Sequence, residues 1–537
     1  MRASPTEAEI AQAPCVAWLE RELARLTGEP VKRIDTQGAI VWLSGAEAWK
    51  FRRAIRLPFL DYSTLEKRRG AAEAEIRLNR AAAPSVYRDA VAITREGQGF
   101  ALGGPGAPVD WLVRMRRFDE ESTLDRLAER GELTPAIIDR LARALIAAHG
   151  RAEAKPVDPA LASLATWIGQ NRQALREHPD LFPSARADTL DRRARAALTS
   201  VRPLLVARGA AGFCVRGHGD LHLRNIAVID GEPAPFDAIE FDDAIATGDV
   251  LYDLAFALMD LWERGSREAA NALLNGYLQR GPEAHYAGLA ALPLFLSLRA
   301  AIRAKVEAAN RVHLSGAARA AAEAAARRYF DFALSFLEGP PARLVAVGGL
   351  SGSGKSALAR RLCPEFGRAP GAVWLASDIE RKHLLGREAH EPLPASAYDH
   401  ATTDEVYARM RRRAALALDA GHSALVDATH MWAGARLDSA ALSAREKVAF
   451  AGFWLEAPLE VRLARVAARR GDASDADAAV ARAQRADPLA EPGWVALDAA
   501  LPLDALKAQA LAHLAGSRDS AIATRDGANS GGRDAEA

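Results

Sequence analysis

A short segment, residues 213–243, concentrates polar side chains between two apolar stretches of the chain. His218, Asp220 and Asn225 lie in the run HGDLHLRN, and Asp237 follows after a predicted turn. Transfer of a phosphoryl group requires a carboxylate that orients the attacking hydroxyl and accepts its proton, together with oxygen ligands for magnesium. These residue types and spacings therefore predict Asp220 as a general base and Asn225 and Asp237 as ligands of Mg²⁺.

A second segment, GLSGSGKS at residues 349–356, has the full spacing Gly-x-x-x-x-Gly-Lys-Ser. It follows an apolar run and begins a helical pattern, the context in which backbone amides and a helix N-terminus bind phosphate. The motif predicts that Lys355 contacts the β and γ phosphates of ATP and that Ser356 binds Mg²⁺. The residues predicted to bind the nucleotide here are Gly349, Gly352, Ser353, Gly354, Lys355 and Ser356.

The secondary-structure elements expected to surround Asp220, Asn225 and Asp237 begin with two short apolar runs. These runs predict a strand, a turn and a second strand. Lys50 lies on the second strand, where a lysine can contact the α and β phosphates. The helix predicted next carries Glu73 and Glu75, either of which can pair with Lys50, and Glu75 is preferred. We expect the turn at Ser44-Gly45 to cover the nucleotide and residues 111–118 to form a hinge between two lobes.

The run HGDLHLRN has the spacing of a protein-kinase catalytic loop. It resembles the HGDLHxxN motif of the aminoglycoside phosphotransferase family, and FDAIEFDDAIATGDVLYDLAF resembles that family's metal-binding Asp with the Gly-Asp and Asp-Leu-Ala segment after it. The resemblance covers roughly residues 30–335. It implies a protein-kinase fold, ATP and Mg²⁺ as cofactors, Asp220 as the base and Asp253 as a structural residue. The chain has no Gly-x-Gly-x-x-Gly motif, and the family's name does not determine the substrate.

After residue 343, short apolar runs alternate with helical patterns, which predicts a parallel sheet with flanking helices. Asp378 follows the second run, Asp427 ends a later one, and Arg465 and Arg469 lie in a basic helical segment. This combination resembles the small P-loop kinases, including gluconate kinase, zeta toxin and polynucleotide kinase. That resemblance implies Asp378 as the base that meets the substrate hydroxyl and the two arginines as a lid over the phosphates.

Two of these assignments have alternatives. Asp427 is either a carboxylate near the metal ion or the N-cap of the helix that follows it. The arginines at 465 and 469 are either lid residues or part of a solvated basic helix face.

The predicted fold class is an α+β protein-kinase-like two-lobed domain followed by an α/β P-loop NTPase domain with a parallel sheet. The chain has 537 residues, which is too long for one ordinary core. The predicted ranges are 1–338 for the first domain, 339–343 for a linker, 344–515 for the second domain and 516–537 for a polar, Gly-rich disordered tail.

Composition argues against several classes of function. The formal net charge of +1 provides no broad field that attracts nucleic acid or membrane. Three scattered cysteines have neither disulfide nor metal spacing, which favours a reducing compartment. We find neither a signal peptide nor a membrane-spanning apolar run, and we expect a cytoplasmic protein.

The layout resembles uncharacterised bacterial proteins that join an aminoglycoside-phosphotransferase-like domain to a P-loop kinase domain. We expect a bifunctional, Mg²⁺-dependent kinase that phosphorylates small hydroxyl-bearing substrates at two separate sites, with nucleic acid and membrane not among its partners. Two alternatives stay open: a nucleotide-binding regulator with one non-catalytic domain, and a polynucleotide 5′-hydroxyl kinase in the C-terminal domain. The identity of the substrates, including whether they are aminoglycosides, is not determined by these motifs.

Overall fold

The structure is a computed structural model that describes residues 7–57, 60–469 and 473–529. The chain forms two compact units, and each contains two stretches of sequence. The first unit combines residues up to Arg264 with Leu298–Ala333, and the second combines Gly265–Ser297 with the chain from Leu334 onward. The predicted domain ranges stay predictions, but residues 265–297 belong by their contacts to the unit of the P-loop.

The N-terminal part of the first unit consists of α1 (Glu7–Thr27), β1 (Lys32–Asp35), β2 (Ala39–Ser44), β3 (Glu47–Arg52), β4 (Arg56–Leu57), β5 (Leu60–Asp61), α2 (Leu65–Arg80), β6 (Tyr87–Glu96), β7 (Gly99–Leu102) and β8 (Pro108–Arg116). Six of these strands form an antiparallel sheet with the order β1-β2-β3-β8-β6-β7. Helix α1, which the sequence analysis did not predict, buries Leu19 and Leu23 in one cluster with Trp42 and Phe51 of the sheet.

The rest of the first unit is mainly helical. Its elements are α3 (Leu124–Glu129), α4 (Pro135–Arg151), α5 (Val157–Arg176), α6 (Ser184–Ala210), β9 (Cys214–Arg216), β10 (Ile226–Ile229), β11 (Glu232–Pro235), α7 (Asp243–Ala246), β12 (Thr247–Asp249) and α8 (Val250–Glu263). Helix α8 is buried along almost its whole length. The hairpin β10–β11 follows the HGDLHLRN loop directly and places Asp237 just beyond its second strand.

The remaining elements of the chain are α9 (Arg267–Arg280), α10 (Ala284–Gly288), α11 (Leu292–Asn310), α12 (Gly316–Phe336), β13 (Arg343–Gly349), α13 (Lys355–Leu362), β14 (Val373–Ala376), α14 (Ser377–Leu384), α15 (His400–Asp419), β15 (Ala424–Asp427), α16 (Ala433–Arg445), β16 (Ala449–Glu456), α17 (Leu459–Ala468), α18 (Ala478–Ala483), β17 (Trp494–Asp498) and α19 (Leu503–Asn529). In the second unit, a parallel sheet with the order β14-β15-β13-β16-β17 confirms the predicted α/β architecture. Strand β17 was not predicted from the sequence.

Two helical segments bear on earlier expectations. Helix α19 extends to Asn529, into the range predicted to be a disordered tail, and residues 530–537 lie outside the described residues. Within the described residues, one helical run, Ala284–His313, is long and apolar enough to cross a membrane. Of its apolar window, 78% is buried inside the protein, as in a core helix of a soluble protein.

Candidate active sites

The catalytic-loop motif of the first unit is held by two carboxylates of helix α8. Asp253 accepts hydrogen bonds from the backbone N–H groups of His218, at 2.8 Å, and Gly219, at 3.0 Å. Asp260, two turns further along the helix, accepts a hydrogen bond from the N–H of Leu223 at 2.9 Å. Both ends of the loop are therefore attached to one buried helix, which places Asp220 between two anchored points.

The side chains inside this loop surround the carboxylate of Asp220. Asn225 donates from Nδ2 to the backbone oxygen of Asp220 at 3.0 Å and to its Oδ2 at 3.2 Å. His222 Nε2 lies 3.4 Å from the same Oδ2. Burial would raise the pKa of Asp220, but His222 lowers it to about 2. The carboxylate is therefore ionised at neutral pH, and its side chain is 38% exposed, so that a substrate hydroxyl can approach it.

Lys50 lies between two acidic side chains. Its Nζ is 3.1 Å from Glu75 Oε1 on α2 and 2.7 Å from Asp237 Oδ1 beyond the hairpin. Glu73 instead pairs with Arg69 on the exposed side of the helix. Burial lowers the pKa of Lys50, but the two carboxylates raise it well above its ordinary value. The structure thus brings together the predicted lysine, the preferred glutamate and the predicted metal-binding Asp.

Asp237 occupies an uncommon backbone conformation, with φ of 61°. Its N–H donates to the hydroxyl of Tyr87 at 2.9 Å, and the next N–H, of Ala238, donates to Asn79 Oδ1 at 2.7 Å. Its side chain is 47% exposed. Among the described residues, no group of three or more His, Cys, Asp or Glu forms a cage for a metal ion. One carboxylate with the free oxygen of Asn225 fits Mg²⁺, which keeps water and phosphate oxygens among its ligands.

The turn at Ser44-Gly45 lies against the hinge. Ser44 is fully buried, with its hydroxyl 3.0 Å from that of Thr27 at the end of α1. Gly45 accepts a hydrogen bond from the guanidinium of Arg117 at 3.3 Å. Gly45 and residues 116–122 line an open cavity of about 580 Å³. That the turn at Ser44-Gly45 covers the nucleotide stays a prediction.

The P-loop of the second unit connects β13 to α13. Gly352 and Gly354 have φ of 85° and 98°, a backbone region that residues with a Cβ rarely adopt. At Gly352 a Cβ would also lie 2.5 Å from the carbonyl oxygen of Arg462. These glycines therefore allow the tight loop that directs backbone amides and the first turn of α13 toward a phosphate.

Asp427 ends β15 next to the P-loop. Ser356 hydrogen-bonds to its carboxylate, and the indole N–H of Trp374 lies 3.3 Å from Oδ2. Burial raises the pKa of Asp427, while nearby Lys355 and the Ser356 hydrogen bond lower it. Helix α16 begins at Ala433 and has a different N-cap residue, so the alternative reading of Asp427 as an N-cap is wrong. Ser356 and Asp427 together offer hard oxygen ligands that suit Mg²⁺.

One cavity of about 820 Å³ is lined by the predicted residues of the second unit except Gly349, which ends strand β13. Arg465, half-buried in its wall, donates to the carbonyl oxygens of Ser353 at 3.2 Å and Ala499 at 2.8 Å, so it is not part of a solvated helix face. The cavity is lined by Ser351–Ser356, Asp378, Tyr398, Tyr407, Asp427, Thr429, Arg465 and Arg469, among others. A nucleotide bound to the P-loop would therefore lie in the same cavity as Asp378.

Comparison with known proteins likewise assigns the two parts of the chain to two different domain families. Residues 59–292 match the family model described as the phosphotransferase enzyme family, and residues 344–488 match the model described as the AAA domain. The uncharacterized protein Rv2004c of Mycobacterium tuberculosis is 31% identical over 469 residues, covering 85% of this chain and 90% of the relative. A Mycobacterium bovis protein, Mb2027c, matches to the same extent.

The chain belongs to this two-domain family. The two family models match this chain one after the other, and this order confirms the resemblance predicted from the sequence. Among solved structures, a gluconokinase from Sinorhizobium meliloti is 23% identical, with 34% of this chain and 97% of that chain covered and a TM-score of 0.26. An aminoglycoside phosphotransferase from Alicyclobacillus acidocaldarius is 12% identical, with 57% and 90% covered and a TM-score of 0.34.

The sequence analysis assigned no role to several residues of this family member that support the first site. Arg52 and Glu240 form a buried ion pair beside Glu75, and Asp260 holds the catalytic loop. An arginine two residues after Lys50, on the same face of a strand, was a signal that could have suggested a second buried cation. The contact partners of Asp260 and Glu240 depend on residues distant in sequence, so no local pattern reveals them.

Proposed function

We propose that the chain is a bifunctional phosphotransferase that transfers the γ-phosphoryl group of ATP to small hydroxyl-bearing substrates, with Mg²⁺, at two separate sites. Its domains are those of phosphotransferase-type enzymes and imply ATP binding. The observation that supports the proposal is that both predicted bases lie near residues predicted to bind the nucleotide or its metal ion. Asp220 is close enough to Asp237 to raise its pKa, and Asp378 lines the same cavity as the P-loop.

At the first site, Asp220 orients the substrate hydroxyl and accepts its proton, and its low pKa keeps it ionised until the hydroxyl is bound. Lys50 exchanges its contact with Asp237 for the α and β phosphates of ATP. Asn225 and Asp237 would hold magnesium, which neutralises charge on the phosphates when it is bound.

At the second site, the P-loop amides and Lys355 hold the phosphates, and Ser356 and Asp427 would hold magnesium. Asp378 meets the hydroxyl of the second substrate as its base. Arg465 and Arg469, in the wall of the same cavity, contact the phosphoryl group as its charge redistributes during transfer.

The proposed substrates are small molecules, and the proposed location is the cytoplasm. The cavity of about 820 Å³ is within the range of small-ligand sites. The net charge of +1 supports neither nucleic acid nor a membrane surface as a partner.

The test is a screen of a metabolite extract with γ-labelled ATP, using the full-length chain. Residues 265–297 pack within the second unit, so cutting the chain at residue 338 would remove part of that unit. Wild type, Asp220→Asn and Lys355→Ala are compared, and we expect one labelled product to disappear in each variant. If Lys355→Ala removes every labelled product, the first domain is a nucleotide-binding regulator; if wild type labels nothing, the phosphotransferase proposal fails.

A further inference from the structure

Charged side chains in the first unit form a continuous chain of contacts that extends from the Lys50–Glu75 pair into the protein interior. The guanidinium of Arg52 contacts Glu75 Oε2, while Lys50 contacts Glu75 Oε1 at 3.1 Å. The same Arg52 Nη2 donates to Glu240 Oε1 at 2.9 Å. Side-chain exposure is 1% for Arg52 and Glu75 and 6% for Glu240. Asp237, Lys50, Glu75, Arg52 and Glu240 therefore alternate in charge along one path.

The strand geometry explains why two cations reach one carboxylate. Lys50 and Arg52 are two residues apart on β3, so their side chains leave the same face of the sheet. Glu75 on α2 lies opposite that face and uses one oxygen for each cation. If Lys50 moves toward a bound phosphate, Arg52 still neutralises Glu75, which would otherwise be a buried charge without a partner.

Glu240 anchors the segment that follows Asp237. Besides Arg52, it accepts a hydrogen bond from the hydroxyl of Tyr62 at 2.8 Å. Asp237, three residues earlier, has a left-handed backbone, a strained conformation that persists only when its surroundings hold it. Glu240 is thus the point at which this segment is tied to β3 and, through Arg52, to α2.

We propose that Arg52 and Glu240 are positioning residues for phosphotransfer at the first site, an inference that rests on the proposed function. Arg52 keeps Glu75 charged and in place while Lys50 contacts the phosphates. Glu240 holds the segment that presents Asp237 to the metal ion. Neither residue touches the reacting atoms.

The test measures Mg²⁺-dependent ATP binding by calorimetry and the unfolding midpoint in urea, both on the full-length chain carrying Lys355→Ala so that only the first site binds. Three variants are compared: Arg52→Met, Glu240→Gln and the double variant. The double variant removes one positive and one negative charge, so the net charge of the network is unchanged. Removing one partner of a buried pair is destabilising, whereas removing both is often nearly neutral.

We expect the double variant to regain most of the unfolding midpoint lost in Arg52→Met and still to bind Mg²⁺-ATP roughly 10-fold more weakly than its parent. Recovery of binding together with stability would show that the pair serves only the fold, and would overturn the inference. If the parent itself binds no Mg²⁺-ATP at this site, the proposed function fails instead.

Tyr62→Phe provides a milder variant that keeps the fold. It removes one hydrogen bond to Glu240 and should weaken Mg²⁺-ATP binding roughly 3-fold to 10-fold. Tyr329→Phe, at a buried ring beside Arg303 in the same unit, is the matched control and should leave binding unchanged. Equal affinities for the two tyrosine variants would contradict the positioning role of Glu240.

Discussion

Asn275 on helix α9 pairs with Trp374 on strand β14, where the Asn275 side-chain oxygen accepts a hydrogen bond from the Trp374 backbone N–H at 2.7 Å. Strand β14 is at the edge of the parallel sheet, so its outer N–H and C=O groups have no strand beside them. Asn271 and Gln279, one turn away on either side, donate to carbonyl oxygens at 372 and 374. A helix from the sequence matched to the phosphotransferase family thus completes the sheet of the P-loop unit.

Asn275→Ala is expected to lower the free energy of unfolding by about 1–3 kcal/mol, because it leaves the Trp374 N–H buried without an acceptor. Urea denaturation of the full chain, followed by tryptophan fluorescence, measures the change. Ala272→Ser, on the exposed side of the same helix, is the control and should shift the midpoint little. An unchanged midpoint in Asn275→Ala would mean that water replaces the lost acceptor.

The stability contributed by Asp253 should depend on pH. Burial raises the pKa of this carboxyl, but the hydrogen bond from His149 and nearby positive charge lower it well below its ordinary value. Its contribution is therefore fully present above the unfolded-state pKa of about 4 and is lost as the pH falls through the lower folded-state pKa.

Asp253→Asn should accordingly lower the urea midpoint at pH 7 and pH 5, with a difference from wild type that shrinks below about pH 4. The exposed Asp158→Asn on α5 is the control and should show no such trend. A difference that stays constant down to pH 3 would contradict the assigned role of the carboxylate charge.

Asp220→Asn should leave Mg²⁺-ATP binding nearly intact, since the side chains have the same shape. It should lower phosphotransfer at the first site roughly 100-fold to 10,000-fold, the usual contribution of a general base. Because its pKa is about 2, Asp220 should not cause any loss of activity between pH 8 and about pH 4. Rates of labelled product formation check both statements, with Glu73→Gln on the exposed face of α2 as the control.

Each unit should bind its own nucleotide. Titration of wild type with a non-hydrolysable ATP analogue should give two sites per chain, and Lys355→Ala should abolish turnover at the second site without changing binding at the first. Calorimetry counts the sites. A single site that disappears with Lys355→Ala would make the first unit a scaffold.

The second unit should act on a small molecule rather than on nucleic acid. We expect no 5′-end labelling of an oligonucleotide by γ-labelled ATP, and weak binding of single-stranded DNA or RNA, because nothing in the net charge favours a polyanion. Robust labelling by wild type that Asp378→Asn removes would support the polynucleotide kinase alternative instead.

The sequence by itself determined the order of the two kinase-like domains and predicted the chemistry of each. The spacing of Asp220, Asn225 and Asp237 and the glycines of the P-loop reflect constraints that act within a few residues, on loop length and backbone conformation, and such constraints are visible in local sequence. Alternating apolar runs likewise predicted the parallel sheet, because a strand between helices must be apolar along its length.

Only the tertiary structure decided which distant residues support those motifs. Arg52 meets Glu240, and Asn275 meets Trp374, across gaps of 188 and 99 residues. The sequence around each of these residues does not distinguish it from other residues of its type. Its contact partner is determined by how the strands and helices pack together. Residues 265–297 could not be assigned to the P-loop unit from sequence for the same reason. The sequence of a helix does not indicate which sheet edge the helix will cover, because the unpaired backbone groups of that edge exist only once the sheet has formed.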